Sequence, residues 1–169
     1  MDRTRRITTA ALMAAVAVVL LYLAQIAPTM RLSLIAIAGI AGALVVAEYG
    51  PVWGLMSFAA AGLLSLLLSP MSAWVYVVFF GWYPAAKCLI ERLNQQIPEW
   101  ILKLAAFLAA FLVLWFFLPQ VLAEIMPKLA GLFWVLLLAG GGAFVLFDIA
   151  LSGILSYYIR VLLPKIRRK

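Results

Sequence analysis

Asp148 is the residue best placed to do chemistry in this 169-residue chain, because it lies within an otherwise apolar run. A carboxylate inside a membrane is costly and must face protein, water or a cation. Three interpretations stay open: a structural ion pair, a proton or substrate role, or a neutral, protonated acid. Lys87 should lie at a similar depth and is the partner we expect, and Glu48 could join them. Lys87 and Glu91 also form an i,i+4 pair, which is typical of a solvated helix face.

A second group of candidates lies at the opposite end of the apolar segments, where polar residues are few. Arginine next to aromatic walls can bind an anionic substrate through its fork of N–H donors, and contact with a phospholipid headgroup is the alternative. The aromatic-rich segment from Trp74 to Tyr83 either packs against lipid and core or forms one wall of an apolar ligand pocket. The candidate substrate-binding residues are Gln25, Arg31, Trp74, Tyr76, Trp115 and Trp134.

The sequence offers little for catalysis. It has no histidine and a single cysteine, Cys88, so the usual zinc sites and Cys/His nucleophile pairs lose their ligands. It also has no Gly-rich phosphate loop and no close pair of carboxylates within an apolar segment. We therefore expect no enzymatic activity, no metal site and no cofactor.

Long stretches without charge determine the expected architecture. Hydrophobic residues make up 68% of the chain and charged residues only 11%, which exceeds what a soluble domain of this size can bury. A membrane core about 30 Å thick needs roughly 20 apolar helical residues. Ser69-Pro70 divides the longest gap, because proline cannot continue a helix. The sequence predicts one all-α domain over residues 1–169, with transmembrane helices at about 7–27, 32–48, 51–69, 71–93, 99–118 and 129–152.

The basic residues predict how this bundle lies in the membrane. Six spans put both termini on one side, and that side then holds eleven of the thirteen basic residues. Because basic loops stay inside, we expect both termini to be cytoplasmic and the protein to lie in the inner (plasma) membrane. The basic tail, residues 160–169, should contact anionic lipid rather than nucleic acid. Only Arg31 and Lys128 remain on the outer side.

Small residues repeat at four-residue spacing along the first span. Such a face lets another helix backbone approach closely. Packing within the bundle and docking of a partner membrane protein both fit the pattern. The docking interpretation would use Ala10, Ala11, Ala14 and Ala15.

Between residues 5 and 95 the chain resembles the substrate-binding S components of energy-coupling factor (ECF) transporters, which import vitamins and metal ions. The resemblance lies in TRRITTAALMAAVAVVLLYL, in the short proline-containing loop after it, and in GPVWGLMSFAAAGLLSLLLSP. It implies a non-catalytic subunit that binds a vitamin-like small molecule near the outer face. It also implies docking on a transmembrane coupling protein with ATP-binding subunits, through an Ala-x-x-x-Trp motif of the first helix. Here the alanines are present, and alanine occupies the tryptophan position.

A weaker resemblance is to the rod-shape MreD family, small membrane scaffolds of cell-wall synthesis. The second span, the Gly-Pro turn and the third span fit that family as well. A helper subunit of another membrane complex is a further alternative. The sequence therefore predicts a six-span membrane protein, with these three functions as alternatives.

Overall fold

The computed structural model describes residues 2–93, 95–125 and 132–162, and these form helices and no strands. The α-helices are α1 (Asp2–Ile26), α2 (Arg31–Tyr49), α3 (Pro51–Leu68), α4 (Pro70–Val75), α5 (Tyr83–Ile90), α6 (Gln96–Phe117), α7 (Pro119–Ile125) and α8 (Phe133–Tyr157). Short 3₁₀ helices span Pro28–Met30 and Glu91–Leu93, and π-helical turns span Tyr76–Phe80 and Tyr158–Leu162.

Within the described residues, six helices are long and apolar enough to cross a membrane, which confirms the predicted fold class of six transmembrane helices. At most of the helix ends, the observed bound differs from the predicted one by a few residues. The largest difference is in the last span, which runs from Phe133 to Val161, whereas its predicted start at residue 129 lies outside the described residues. The last span is longer than predicted because the π-helical turn continues α8 without a break.

Two hydrogen bonds define one end of the bundle. The hydroxyl groups of Thr9 and Tyr49 lie 3.3 Å apart, and Tyr158 donates to Glu48 Oε1 at 2.6 Å. The start of α1, the end of α2 and the end of the last span therefore meet at what we call the terminal end. The opposite, distal end carries the turns at residues 27–30 and 69–70.

The turn between α2 and α3 is built on Gly50. Its φ of +92° is a conformation that side-chain-bearing residues rarely adopt, and Pro51 then fixes the first turn of α3. A Cβ added at Gly54 would collide with the Val46 side chain. The two glycines therefore serve a tight interhelical connection.

The fourth span is broken in its middle, as Gly81 and Pro84 in the sequence predict. Gly81 N–H bonds Tyr76 O at 2.7 Å, five residues back, which closes the π-helical turn. A bend at 81–82 precedes α5. Proline at 84 lacks an N–H and is tolerated because it falls in the first turn of that new helix. The break directs the two halves of this span toward different parts of the core.

The short helix α7 was not anticipated from the sequence. Pro119 ends α6 at Phe117 and starts α7, which keeps the chain at the distal end. Val121 of α7 is only 3% exposed and belongs to the same core cluster as Leu21 and Ile35. Helix α7 thus packs back onto the bundle through Val121.

Candidate binding cavity and buried ion cluster

Four charged side chains meet near the terminal end and form what we call the ion cluster: Lys87, Glu91, Lys103 and Asp148. Lys87 Nζ pairs with Asp148 Oδ1 and lies 3.0 Å from Glu91 Oε1. Lys103 Nζ lies 3.1 Å from Asp148 Oδ2 and 3.1 Å from Glu91 Oε1. The structure therefore brings Lys87 and Asp148 together and adds a second acid and a second base.

The cluster balances its own charge. Two lysines face two carboxylates, and the side chains of Lys87, Lys103 and Asp148 are at most 6% exposed. Glu91, at 43% exposure, connects the cluster to the surface. A buried carboxylate needs its remaining lone pairs satisfied as well, and Tyr83 donates to Asp148 Oδ1 at 2.6 Å. The arrangement is that of a saturated structural network joining α5, α6 and α8.

Glu48 does not take the position suggested for it. It accepts the Tyr158 hydroxyl hydrogen at the terminal end, and the second carboxylate of the ion cluster is Glu91. Glu91 takes this position because it lies one helical turn after Lys87. The same lysine therefore reaches both Glu91 and Asp148.

A cavity of about 350 Å³ lies in the distal part of the bundle. Its walls come from α2, the fourth span, α6, α7 and α8, and we call it the phenylalanine cavity. Of the described residues that line it, Ser33 alone has a polar side chain. The phenylalanines that line it are Phe79, Phe80, Phe107, Phe111, Phe144 and Phe147.

The π-helical turn and three aromatic pairs place these rings. Phe79 and Phe80 are consecutive, and both reach the cavity from the π-helical turn. Phe107 lies 5.8 Å from Phe79 and 5.2 Å from Phe144, measured between ring centroids. Phe80 meets Phe147 edge-on at 4.8 Å. Edge-on and offset contacts are the favoured geometries of aromatic pairs, so the wall is a mutually supported set of rings.

The six predicted substrate-binding residues do not line this cavity. Arg31, 7% exposed, is packed at the start of α2, where Nε donates to Ala24 O at 3.4 Å. Tyr76 is buried with its ring 5.8 Å from that of Phe58. Trp115 lies behind the wall, with its ring 6.2 Å from Phe111. The remaining three, Gln25, Trp74 and Trp134, are exposed.

Half of the predicted docking face requires correction. Ala10 and Ala14 are buried inside the bundle, and Ser57 of α3 donates to Ala10 O at 3.1 Å. Their small size lets α3 approach α1 closely, which is the packing interpretation of the repeat. Ala11 and Ala15 are exposed on the outer face of α1 and remain available to a partner.

Several residues of both sites were missed by sequence reasoning. Phe107 and Phe111 are four residues apart, and Phe144 and Phe147 are three apart, so each pair shares a helix face. Those spacings were a usable signal for an aromatic wall. Lys103 gave no such signal. It lies near the start of α6, where a basic residue next to a membrane span is common.

The fold and these two sites define a six-span helical membrane protein with an apolar cavity in its distal part and a neutralised ion cluster near its terminal end. No family model, no curated protein and no solved structure matches the chain.

Proposed function

We propose that this chain is the substrate-binding S component of an ECF-type importer, a non-catalytic membrane subunit that holds a vitamin-like small molecule. The observation that carries the proposal is the phenylalanine cavity, about 350 Å³ in the distal part of a six-span bundle. Cavities of a few hundred cubic ångströms are typical of small-molecule sites in proteins. The cavity opens to the surface of the bundle beside exposed lining residues, Leu32, Ser33, Ala139 and Ala143, which gives a ligand a way in.

The charge distribution supports an orientation in which the cavity faces outward. Lys87 and Lys103 belong to the ion cluster, so they no longer count as bases of a flanking loop. The nine other basic residues of the terminal side still outnumber Arg31 and Lys128 on the other side. By the positive-inside rule the termini are cytoplasmic, in the plasma membrane, and the distal end faces the exterior. A ligand would then enter from outside.

The exposed alanines Ala11 and Ala15 support a docking surface on α1. They stand one helical turn apart on the outer face, where small side chains permit close approach of another transmembrane helix. In this proposal that helix belongs to a coupling protein carrying ATP-binding subunits. The basic residues after Arg160 contribute attraction to anionic lipid of the cytoplasmic leaflet.

Co-purification with a coupling module tests the docking step. The full chain is expressed with the module, and the amount recovered is compared between the wild type and Ala11→Leu/Ala15→Leu. The matched control is Ala105→Leu/Ala109→Leu, which changes two exposed alanines at the same spacing on α6. We expect a loss of the complex in the α1 variant and wild-type recovery in the control.

Two results would contradict the importer. One is a wild-type chain that never associates with the coupling module under conditions where a known S component does. The other is specific co-isolation with cell-wall synthesis proteins, which would favour an MreD-like scaffold.

A second experiment tests ligand binding. Native mass spectrometry of the purified wild type would reveal a small molecule retained in the cavity. Ala143→Phe, which fills the cavity, should abolish its retention.

A further inference from the structure

We infer that the phenylalanine cavity takes an uncharged, flat ligand of two or three fused rings that carries one hydrogen-bonding group. The inference rests on the proposed function only in treating this cavity as the ligand site. It concerns the chemical class of the ligand, which the resemblance to importers leaves open. Three features of the wall carry it: polarity, shape and volume.

The polarity of the wall argues against a charged ligand. The described lining residues include no ionisable side chain, and the hydroxyl of Ser33 is the one polar side-chain group among them. A charge placed there would lose its hydration without gaining a partner. The lysines of the ion cluster do not compensate, since each already contacts two carboxylates. Ser33 can satisfy a single hydroxyl or carbonyl of a ligand.

The shape of the wall favours a planar ligand. Phenyl rings from the fourth span, α6 and α8 line the cavity, and an aromatic ligand packs well against such rings. On α8 the small residues Ala139, Gly140 and Ala143 complete the wall. A Cβ added at Gly140 would lie 3.3 Å from Phe107 Cζ, so this part of α8 already touches the rings. Small side chains next to aromatic rings leave room for a rigid ring system.

The volume sets the number of rings. An apolar cavity of roughly 150 Å³ is enough to hold benzene. At about 350 Å³, this cavity has room for a ring system about twice that size with a small substituent.

A lipid acyl chain is the competing occupant, and the wall favours it less. A flexible chain loses conformational freedom when it is ordered in a cavity, whereas a fused ring system is already rigid. A chain also gains none of the edge-on and stacked contacts that six phenyl rings offer. The hydroxyl of Ser33 has no counterpart along a hydrocarbon chain.

Three probes separate these possibilities: naphthol, naphthalenesulfonate and decanol. The first is flat, neutral and bears one hydroxyl, the second carries a charge on the same rings, and the third is a flexible chain with the same hydroxyl. Binding is measured by calorimetry on the full chain in lipid nanodiscs, with empty nanodiscs subtracted. We expect saturable binding of naphthol, at least about tenfold tighter than that of either other probe.

Matched substitutions on α8 locate the binding. Ala143→Phe fills the cavity and should remove saturable naphthol binding, while Ala150→Phe, at an exposed position of the same helix that does not line the cavity, should leave it unchanged. Ser33→Ala should weaken naphthol severalfold and leave unsubstituted naphthalene unaffected. If Ala143→Phe does not fold, Ala139→Leu and Ser33→Ala decide the question in the same way.

Equal or tighter binding of decanol or naphthalenesulfonate would overturn the inference, as would naphthol binding that none of the cavity variants changes. If the chain binds naphthol saturably but associates with no coupling module, the importer proposal is contradicted and the inferred ligand class is supported. If the chain associates with the module but does not bind naphthol, the inferred ligand class is contradicted and the importer proposal is supported.

Discussion

Tyr83 donates its hydroxyl hydrogen to Asp148 Oδ1 at 2.6 Å, while its ring packs edge-on against Phe144 at a centroid distance of 4.8 Å. Phe144 is part of the cavity wall, and Asp148 is the centre of the ion cluster. One buried side chain therefore contacts both sites. This double contact makes Tyr83 the first residue to test.

Tyr83→Phe should lower the stability of the bundle without disturbing the aromatic wall. The ring stays in place against Phe144, and only the hydrogen bond to a charged acceptor is lost, at a cost of about 2 kcal/mol. Thermal unfolding in detergent micelles measures this as a lower midpoint. The control is Tyr22→Phe on α1, whose side chain is 49% exposed, and which should unfold like the wild type. Equal midpoints for Tyr83→Phe and the wild type would contradict the bond.

Asp148→Asn should destabilise the protein more strongly. The change removes the negative charge that Lys87 and Lys103 share and leaves buried ammonium groups without their main partner. Breaking a buried pair from one side costs about 3 to 5 kcal/mol. The measurement is the unfolding free energy, with Glu99→Gln in the first turn of α6 as the control for loss of a carboxylate.

A second substitution tests whether this loss comes from the orphaned lysine. Lys87→Met in the Asp148→Asn background should restore part of the stability, because one uncompensated charge is removed. Restoration is only partial, since Lys103 keeps its charge next to the changed residue. Additive losses from the two substitutions would show that Lys87 and Asp148 are not coupled.

The spans were predictable because the physical constraint that defines them is local. A run such as 32–47 contains no charge, and a hydrocarbon core admits only such runs as helices. The break in the fourth span was equally local, since Gly81 and Pro84 weaken a helix wherever they occur. The described structure follows both predictions.

The side-chain partners were less predictable because they depend on how each helix is rotated about its axis. Ala10 and Ala14 face α3, whereas Ala11 and Ala15 face outward, and four equally small residues give no hint of which pair is which. Trp74 and Tyr76 shared a predicted role, but Trp74 is exposed and Tyr76 is buried. Rotation is set by packing among all six helices, and no single segment contains that information.

Gly81→Ala should be destabilising for steric reasons alone. Gly81 has an ordinary helical conformation, with φ of −74°, so alanine can adopt its backbone. A Cβ there would collide with the Phe58 ring, and such overpacking costs about 1 to 3 kcal/mol. Gly142→Ala is the control, because an added Cβ at Gly142 meets no atom within 4 Å. Unfolding midpoints should fall for Gly81→Ala and stay level or rise for Gly142→Ala, which gains helix propensity. Similar shifts for both glycines would refute the close contact with Phe58.

Tyr158→Phe should loosen the terminal end of the last span. The Tyr158 hydroxyl donates to Glu48 Oε1 at 2.6 Å and joins the last span to α2. Both side chains are partly exposed, so water replaces some of the lost bond and the cost should be about 1 kcal/mol. Tyr157→Phe is a matched control one residue earlier, since Tyr157 is 60% exposed. Hydrogen exchange of the amides after Gly153 measures the effect directly: they should exchange faster in Tyr158→Phe and at the wild-type rate in Tyr157→Phe. Equal exchange in the two variants would mean that the bond to Glu48 does not hold this end of the helix.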